Sequence, residues 1–543
     1  MTIPRPAGRR PRAAALGILA ASALLLSACS GEPQADASAD APVEGGTLRI
    51  AIDADPICLD PTQSNLIASG VIGRQIVDSL VDQDPETGDF VPWLAESWEI
   101  SEDATEYSFV LRSGITFSDG TPLTAQSVKA SYEHVLEDPG KTATGAAFLS
   151  GYAETAVEDD THLTVRFEKP NAAFLAGAAS RSLGILSAEA IATPYDDRCL
   201  GEGLIGSGPF VFDEYVAGES ARLVAREDYD WATGLAGHDG RAYVDAVEYS
   251  VSAEPSVRTG ALQSDQVDIA TTIQSQDEAT LDGTGFPVLS RVNPGVVTAI
   301  APNIEGSTVL QDDDVREAIQ LAIDRQEIAD VVLTPSYGVA TSVLGETTPG
   351  YTDLSEELQT DADAAARILD EAGWVVGDDG IREKDGERLS VSVLYFYQPN
   401  VYEYLQQQLR AVGIELELLQ VTAAEFTSAA TAGDYDLRQA SFSRPDPDIL
   451  RTVFSTSLSN SAFLDPADEA VATLDALLDE QRTIADTADR WAVVSDAQEL
   501  IVEQNWAFPL AQLVQVVGTS EKVEGLRFDS FSLITLYDVS LTS

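Results

Sequence analysis

Histidine is scarce: His134, His162 and His238 are the only three in 543 residues, and they are widely separated. Cysteine is equally rare, with Cys29, Cys58 and Cys199. No HExxH and no paired-cysteine spacing offers a zinc site. No Gly-x-Ser-x-Gly elbow is present for a serine hydrolase. Gly140-Lys141-Thr142 looks like the end of a phosphate loop, but its first glycine would fall at position 135, which is Val135. Basic residues are few, 32 against 89 acidic, for a formal net charge of -57. That balance argues against binding nucleic acid or an anionic membrane and keeps the chain soluble. Acid-rich or salt-adapted proteomes carry such a charge on every surface, so it does not by itself describe a ligand. Carboxylates are so abundant that a pair of them carries little information. We expect no enzyme, no cofactor and no metal centre.

What is present begins at the N-terminus. Arg5, Arg9, Arg10 and Arg12 precede an apolar stretch from about Ala13 to Leu26. The stretch is too short to span a bilayer comfortably and has no downstream stop signal, so it reads as an export leader over 1–28. It ends in Leu26-Ser27-Ala28-Cys29, which resembles a bacterial lipobox. That resemblance implies cleavage before Cys29, a diacylglycerol on its thiol, and a place on the outer face of the cell membrane. Residues 29–45 are largely Ala, Ser, Asp, Pro and Gly and cannot bury a core, so they read as a flexible tether. The four leader arginines would leave with the leader, taking the 32 basic residues to 28 against the same 89 acids. Cys58 and Cys199 then remain as an even pair in an oxidising compartment, which invites a disulfide. No second segment is apolar enough to cross a membrane, and the length suits two to four domains.

Periodicity orders the body. Gly46–Ile52 alternates as a first strand, and Asp53-Ala54-Asp55-Pro56 breaks it. Glu106–Arg112 and Thr161–Glu168 alternate in the same way. Thr124 sits where a helix cap belongs, ahead of a helix over 125–136. Gly206-Ser207-Gly208-Pro209-Phe210 reads as a hinge. Asp312, Asp313 and Asp314 precede a helical stripe from Val315 to Val332, and acids at a helix start favour its dipole without any metal. From Leu389 to Phe442 strand and helix alternate: Val391, Val393 and Tyr395; then Leu405, Leu409 and Val412 at helical spacing; then Ile414, Leu416 and Leu418; a short helix near Phe426; and a strand over 435–442. Such a run implies a parallel or mixed sheet that binds ligands outside its strand carboxyl ends. Helices over 471–481 and 489–503 lead to a last strand, Phe508 to Val517.

Several blocks together resemble the extracellular solute-binding proteins of ABC importers, family 5, the peptide and nickel type. Leu94-Ala95-Glu96-Ser97-Trp98 precedes the run from Tyr107 through Phe117-Ser118-Asp119-Gly120-Thr121-Pro122-Leu123-Thr124-Ala125. Gly206–Phe210 follows, then Val315-Arg316-Glu317-Ala318-Ile319 with Ala322-Ile323-Asp324-Arg325, and Ala365–Trp374 with Leu409–Ile414. The blocks occur in order over nearly the whole mature chain. The resemblance implies an α/β, two-lobe periplasmic-binding-protein-like clamp of type II with an extra domain in lobe one. By similarity, lobe one takes 44–76, 206–292 and 508–543, the extra domain 77–205, and lobe two 293–507. It implies a monomer that catches a peptide or other small solute and delivers it to ABC permease subunits. Two alternatives stay open: a receptor for a metal chelate or other anionic non-peptide solute, and a surface sensor or scaffold without import.

The resemblance also places the cleft. The matching positions supply Asp55 and Ile57 after the first strand, Thr271 and Thr272, Asn293, then Tyr395, Tyr397 and Gln398, and finally Phe442, Ser443, Arg444 and Asp446. The family's peptide binders carry an acidic residue for the peptide ammonium three places before an Asp-Pro-Asp-like turn. Here that turn is Asp446-Pro447-Asp448, and the position holds Ser443 beside Arg444. A permanent cation with a bidentate fork suits a carboxylate or phosphate, which weakens the peptide expectation and raises ligands with an anionic group.

Overall fold

Side-chain alternation gives the first strand two faces to bury. In Thr47–Ile52, Leu48, Ile50 and Ile52 enter one apolar core, while Ala51 joins another with Ala270, Val514 and Val516. The computed structural model describes residues 42–543 apart from 65, 334–335, 459–463 and 543. The expected leader, the expected anchor at Cys29 and the expected tether up to residue 41 lie outside the described residues.

The architecture is a two-lobe α/β fold. The seven-stranded sheet of lobe one runs Val288–Val292, Val514–Thr519, Ile269–Ala270, Thr47–Ile52, Ala246–Val251, Ser220–Ala225 and Phe210–Val216. Thr47–Ile52 is parallel to both Ala246–Val251 and Ile269–Ala270. The five-stranded sheet of lobe two runs Glu415–Gln420, Ser390–Tyr395, Leu437–Ser443, Gly295–Pro302 and Phe508–Ala511, the first three mutually parallel. Gly295–Pro302 is buried along its whole length because it is central and covered on both faces. One face packs Ile300, Val391, Val393 and Leu437; the other packs Val296, Ala301 and Ala440 with Trp506.

The extra domain is built on a four-stranded antiparallel sheet, Ala95–Ile100, Glu106–Leu111, His162–Phe167 and Tyr152–Val157. The helix Ala125–Glu137 begins at Thr124, whose N–H donates to Ser127 Oγ at 3.2 Å. Tyr107 and Phe174 meet edge-on at 4.8 Å, inside the same core as Leu48 and Tyr249. The extra domain is thus fused to lobe one through shared apolar packing.

Three expectations change. The apolar run from Phe508 to Val517 is two strands in two sheets, broken at Gln512–Leu513, where the chain passes from lobe two to lobe one. The stripe from Val315 to Val332 is two helices, Asp313–Ala322 and Arg325–Val332, because Asp324 accepts the Glu327 N–H and starts the second. Gly206–Phe210 is no hinge: a Cβ on Gly206 would lie 2.1 Å from the Ile76 carbonyl, and the Gly208 N–H donates to that carbonyl at 2.9 Å. Its glycines allow tight backbone packing within lobe one. The passages between lobes are Asn293–Pro294 and Gln512–Leu513, tied together where the Asn293 N–H meets the Leu513 carbonyl at 2.7 Å.

Candidate functional site

Parallel strands bring their carboxyl ends to one side, so the segments that follow them are the candidate lining of a cleft. Beyond Ile52, the Asp55 carboxylate accepts the Tyr215 hydroxyl at 2.5 Å and the Ile57 N–H at 3.2 Å. Ile57 is turned into the left-handed region at φ 60° and is 67% exposed. This loop is fastened from behind. Cys58 is joined to Cys199, the Leu59 N–H donates to the Cys199 carbonyl at 3.0 Å, and Asp60 pairs with a wholly buried Arg198 at 2.7 Å.

Ile269–Ala270 ends in Thr271 and Thr272. Thr271 is buried, with its N–H on the Ala51 carbonyl. Thr272 stands at φ 52°, and its buried hydroxyl has no protein partner. The buried Arg258 holds both residues, donating Nε to the Thr271 carbonyl and Nη2 to the Thr272 carbonyl, each at 2.7 Å, and Nη1 to the Ser252 carbonyl at 2.6 Å. Burial lowers its pKa, and Asp53 and Asp277 oppose that. Asn293 is buried at the lobe passage with an unpartnered Oδ1.

Lobe two contributes two strand ends. After Ser390–Tyr395, Tyr395 turns inward and stacks on Tyr402 at 4.3 Å in the core, so it does not line the cleft. Phe396 is exposed beside Phe426, with ring centroids 5.0 Å apart. Gln439 Oε1 accepts the N–H groups of Phe396 and Tyr397, at 3.2 and 3.4 Å. Tyr397 hydrogen-bonds Tyr337, and burial raises its pKa; Asp53, across in lobe one, adds to the rise. Gln398 sits at φ 52° and accepts the Thr298 hydroxyl at 3.4 Å.

Leu437–Ser443 carries the other end. Gly295, at φ 112°, faces Ser443 there; a Cβ on it would come within 2.1 Å of the Phe442 carbonyl, so no larger residue fits. Phe442 and Ser443 are exposed. Arg444 is half-buried, its guanidinium 5.0 Å over the Phe148 ring of the extra domain, with Nη1 donating to Thr452 Oγ1 at 3.1 Å. It forms no ion pair with any described carboxylate; Asp448 and Asp446 act on it only at longer range, and burial lowers its pKa. Asp446 faces away from the cleft. It is buried and takes both Arg490 nitrogens, at 2.9 and 2.7 Å.

Asp55, Ile57, Thr272, Tyr397, Gln398, Phe442, Ser443 and Arg444 thus stand on strand-end segments of the two sheets and form the candidate lining, while Thr271 and Asn293 are buried. Eight described non-glycine residues have positive φ, and Ile57, Thr272 and Gln398 are three of them. Such backbone costs about 1–3 kcal/mol per residue and clusters where function over-determines the chain. Tyr215, Arg258, Gln439 and Phe148 escaped the sequence reading. Tyr215, Gln439 and Phe148 act on segments far away in the chain, and Arg258 reaches carbonyls 6 to 14 residues away that no residue pattern reveals. Among the described residues no three His, Cys, Asp or Glu side chains converge as metal ligands. A cavity of about 420 Å³ lined by Arg74, Trp93, Tyr229, Arg291 and Tyr537 lies within lobe one and shares no lining residue with this set.

Comparisons with known proteins agree with this fold. The family model for bacterial extracellular solute-binding proteins, family 5 (Middle), matches residues 89–461. Probable di/tripeptide-binding protein 5 of Pseudomonas aeruginosa is 26% identical over 90% of this chain and 94% of its own. Among solved structures, NikA from Brucella suis in complex with Fe(III)-EDTA superposes with a TM-score of 0.79 at 21% identity, covering 92% of this chain and all of the other. The oligopeptide-binding protein AppA from Bacillus subtilis in complex with a nonapeptide gives 0.74 at 22% identity, covering 93% and 100%.

Proposed function

Since the chain belongs to family 5 of the bacterial extracellular solute-binding proteins, the capture components of ABC importers, we propose that it is a lipid-anchored receptor for a peptide or similar small solute. Cys29 carries the lipid at the outer face of the membrane, and the body works as a monomer that hands its ligand to the permease subunits. Lobe one comprises 44–76, 206–292 and the C-terminal segment from Val514, with 77–205 as its extra domain. Lobe two comprises 295–511, and membership of Phe508–Ala511 in the second sheet favours that boundary.

What supports the reading is the division of the fold into two sheets whose strand-end segments carry Ile57, Thr272 and Gln398 in strained backbone, with Asp53 of lobe one acting on Tyr397 of lobe two. Ligand held between such lobes contributes the free energy that shifts an open–closed balance. Micromolar binding corresponds to about -8 kcal/mol, enough to bias it strongly. The relative named for di- and tripeptides supports a peptide ligand.

Arg444 favours a second reading, a solute with an anionic group, which includes a chelate or an acidic peptide. A guanidinium without a carboxylate partner, in a chain with 89 acidic residues, is suited to take one from a ligand. Native mass spectrometry of gently purified protein tests the reading and should find a peptide or small anion retained. Calorimetry with whatever is retained then compares wild type with Arg444→Gln. We expect at least a tenfold loss for a ligand with a free carboxylate, since a charged hydrogen bond contributes about 1.5–3 kcal/mol. Equal affinity would remove Arg444 from the site. A ligand that binds without changing association with the permease would favour a sensor or scaffold.

A further inference from the structure

Lobe two touches the extra domain through three arginines, and only Arg444 belongs to the set above. The second is Arg482, whose Nη2 donates to Asn171 Oδ1 at 2.9 Å and whose carbonyl accepts the Ala172 N–H at 2.9 Å. The third is Arg490, whose Nη1 reaches the Ala172 carbonyl at 3.5 Å. All three bonds join segments more than 300 residues apart and cross between the lobes.

On the lobe-two side the arginines are braced. Asp446 holds Arg490 with both oxygens, and Gln481 Oε1 accepts from the same guanidinium at 2.8 and 2.9 Å. Asp448 accepts Gln481 Nε2 at 2.6 Å and Arg451 Nε at 3.1 Å, and lies 3.7 Å from Arg482. Two buried carboxylates face four guanidiniums, Arg444, Arg451, Arg482 and Arg490, so positive charge is in excess, and the extra domain meets Arg482 and Arg490 with amide and carbonyl oxygens. On the facing side Asn171 is buried, and its Nδ2 donates to the Phe148 carbonyl at 2.8 Å. Phe148 is the ring beneath Arg444.

We infer that Asn171 and Arg482 are a positioning pair that latches lobe two onto the extra domain and seats the Phe148 platform under Arg444 when the lobes are shut. The latch contacts no ligand. Its part in aligning Arg444 rests on the anion reading above, whereas its part in holding the lobes together does not. Neutral oxygens on one side and a braced cation on the other make a contact that water can replace on opening, so the bond is reversible. A receptor whose binding-competent form is only fractionally populated shows an apparent Kd raised by that fraction. Loosening the latch so that about a tenth of the molecules are shut would therefore weaken capture about tenfold without touching the cleft.

The test needs no ligand. Small-angle scattering of the mature, ligand-free protein should give a larger radius of gyration for Arg482→Ala than for wild type. Hydrogen exchange at the Ala172 amide should accelerate in the variant at unchanged global stability. The side-chain change leaves the Arg482 carbonyl in place, so only separation of the lobes exposes that amide. Arg482→Gln, which retains most of the stem and loses the fork, is the companion variant if Arg482→Ala does not fold, and carries the same expectation. Identical scattering and identical exchange in wild type and variant would overturn the latch. Wild-type scattering that matches the shut form, together with failure of free dipeptides to bind, would keep the latch and sink the peptide ligand.

Discussion

Asp78 illustrates how one side chain sets a pH dependence. It is wholly buried, accepts Trp231 Nε1 at 2.9 Å and the Tyr229 hydroxyl at 3.3 Å, and its pKa is pushed up to about 6, mainly by burial. A carboxyl whose folded pKa exceeds its unfolded value stabilises the fold while protonated. That contribution is complete below about pH 4, where the unfolded group also protonates, and disappears as pH rises through about 6. The shift of about two units corresponds to roughly 3 kcal/mol. Chemical denaturation of wild type and Asp78→Asn from pH 4 to pH 7 should therefore show the stability difference moving against wild type by up to that amount. A pH-independent difference would mean that Asp78 is ionised throughout. At this scale the sequence hid most of what matters. Ser443 and Arg444 could be singled out from their neighbours, but the commitment of Asp446 to Arg490 joins residues 44 apart, and nothing local signals it. Tyr395 and Tyr397 are indistinguishable as letters; the pleat sends one onto Tyr402, and the strand end turns the other to Tyr337.

Elements were more legible where one physical rule acted alone. The alternation over Leu389–Phe442 resolved into Ser390–Tyr395, Pro399–Ala411, Glu415–Gln420, Ala423–Ala432 and Leu437–Ser443, because buried strands and amphipathic helices differ in period. Legibility failed where two rules competed. Asp324 caps a helix inside a continuous apolar stripe, and Phe508–Ala511 and Val514–Thr519 read as one strand because both are buried throughout. The loop carrying Ile57 is the element with most to lose. Its link to the extra domain runs through Cys58–Cys199, which spans 141 residues of sequence. On the chain-entropy model a loop of that size contributes about 4–5 kcal/mol. The double variant Cys58→Ser with Cys199→Ser should unfold at markedly lower denaturant, and ligand affinity should fall further than that of a variant destabilised elsewhere. Thiol titration of the denatured, unreduced protein that finds both cysteines free would remove the premise.

At the scale of the whole molecule, charge dominates. With 89 acidic and 32 basic residues, self-repulsion opposes the compact state at low ionic strength. Screening relieves it, since the Debye length falls from about 30 Å at 0.01 M to about 3 Å at 1 M salt. The thermal midpoint should rise as sodium chloride goes from 10 mM to 1 M, and calorimetric scans across that range provide the check. A flat or falling midpoint would mean that the surface ion pairs screened by the same salt outweigh the net repulsion.

The second passage between lobes also governs when the protein can be finished. Val514–Thr519 lies between Val288–Val292 and Ile269–Ala270, so the sheet begun at Thr47 stays divided until a strand near the end of the chain arrives. Synthesis delivers the N-terminus first, and every strand of the second sheet, to Phe508–Ala511, precedes that closing piece. A chain that has not yet delivered residues 514–519 therefore has no complete sheet in lobe one, and one cut short before residue 514 can never close it. The late strand works as an interlock: the sheet of lobe one closes only after the whole of lobe two has been made.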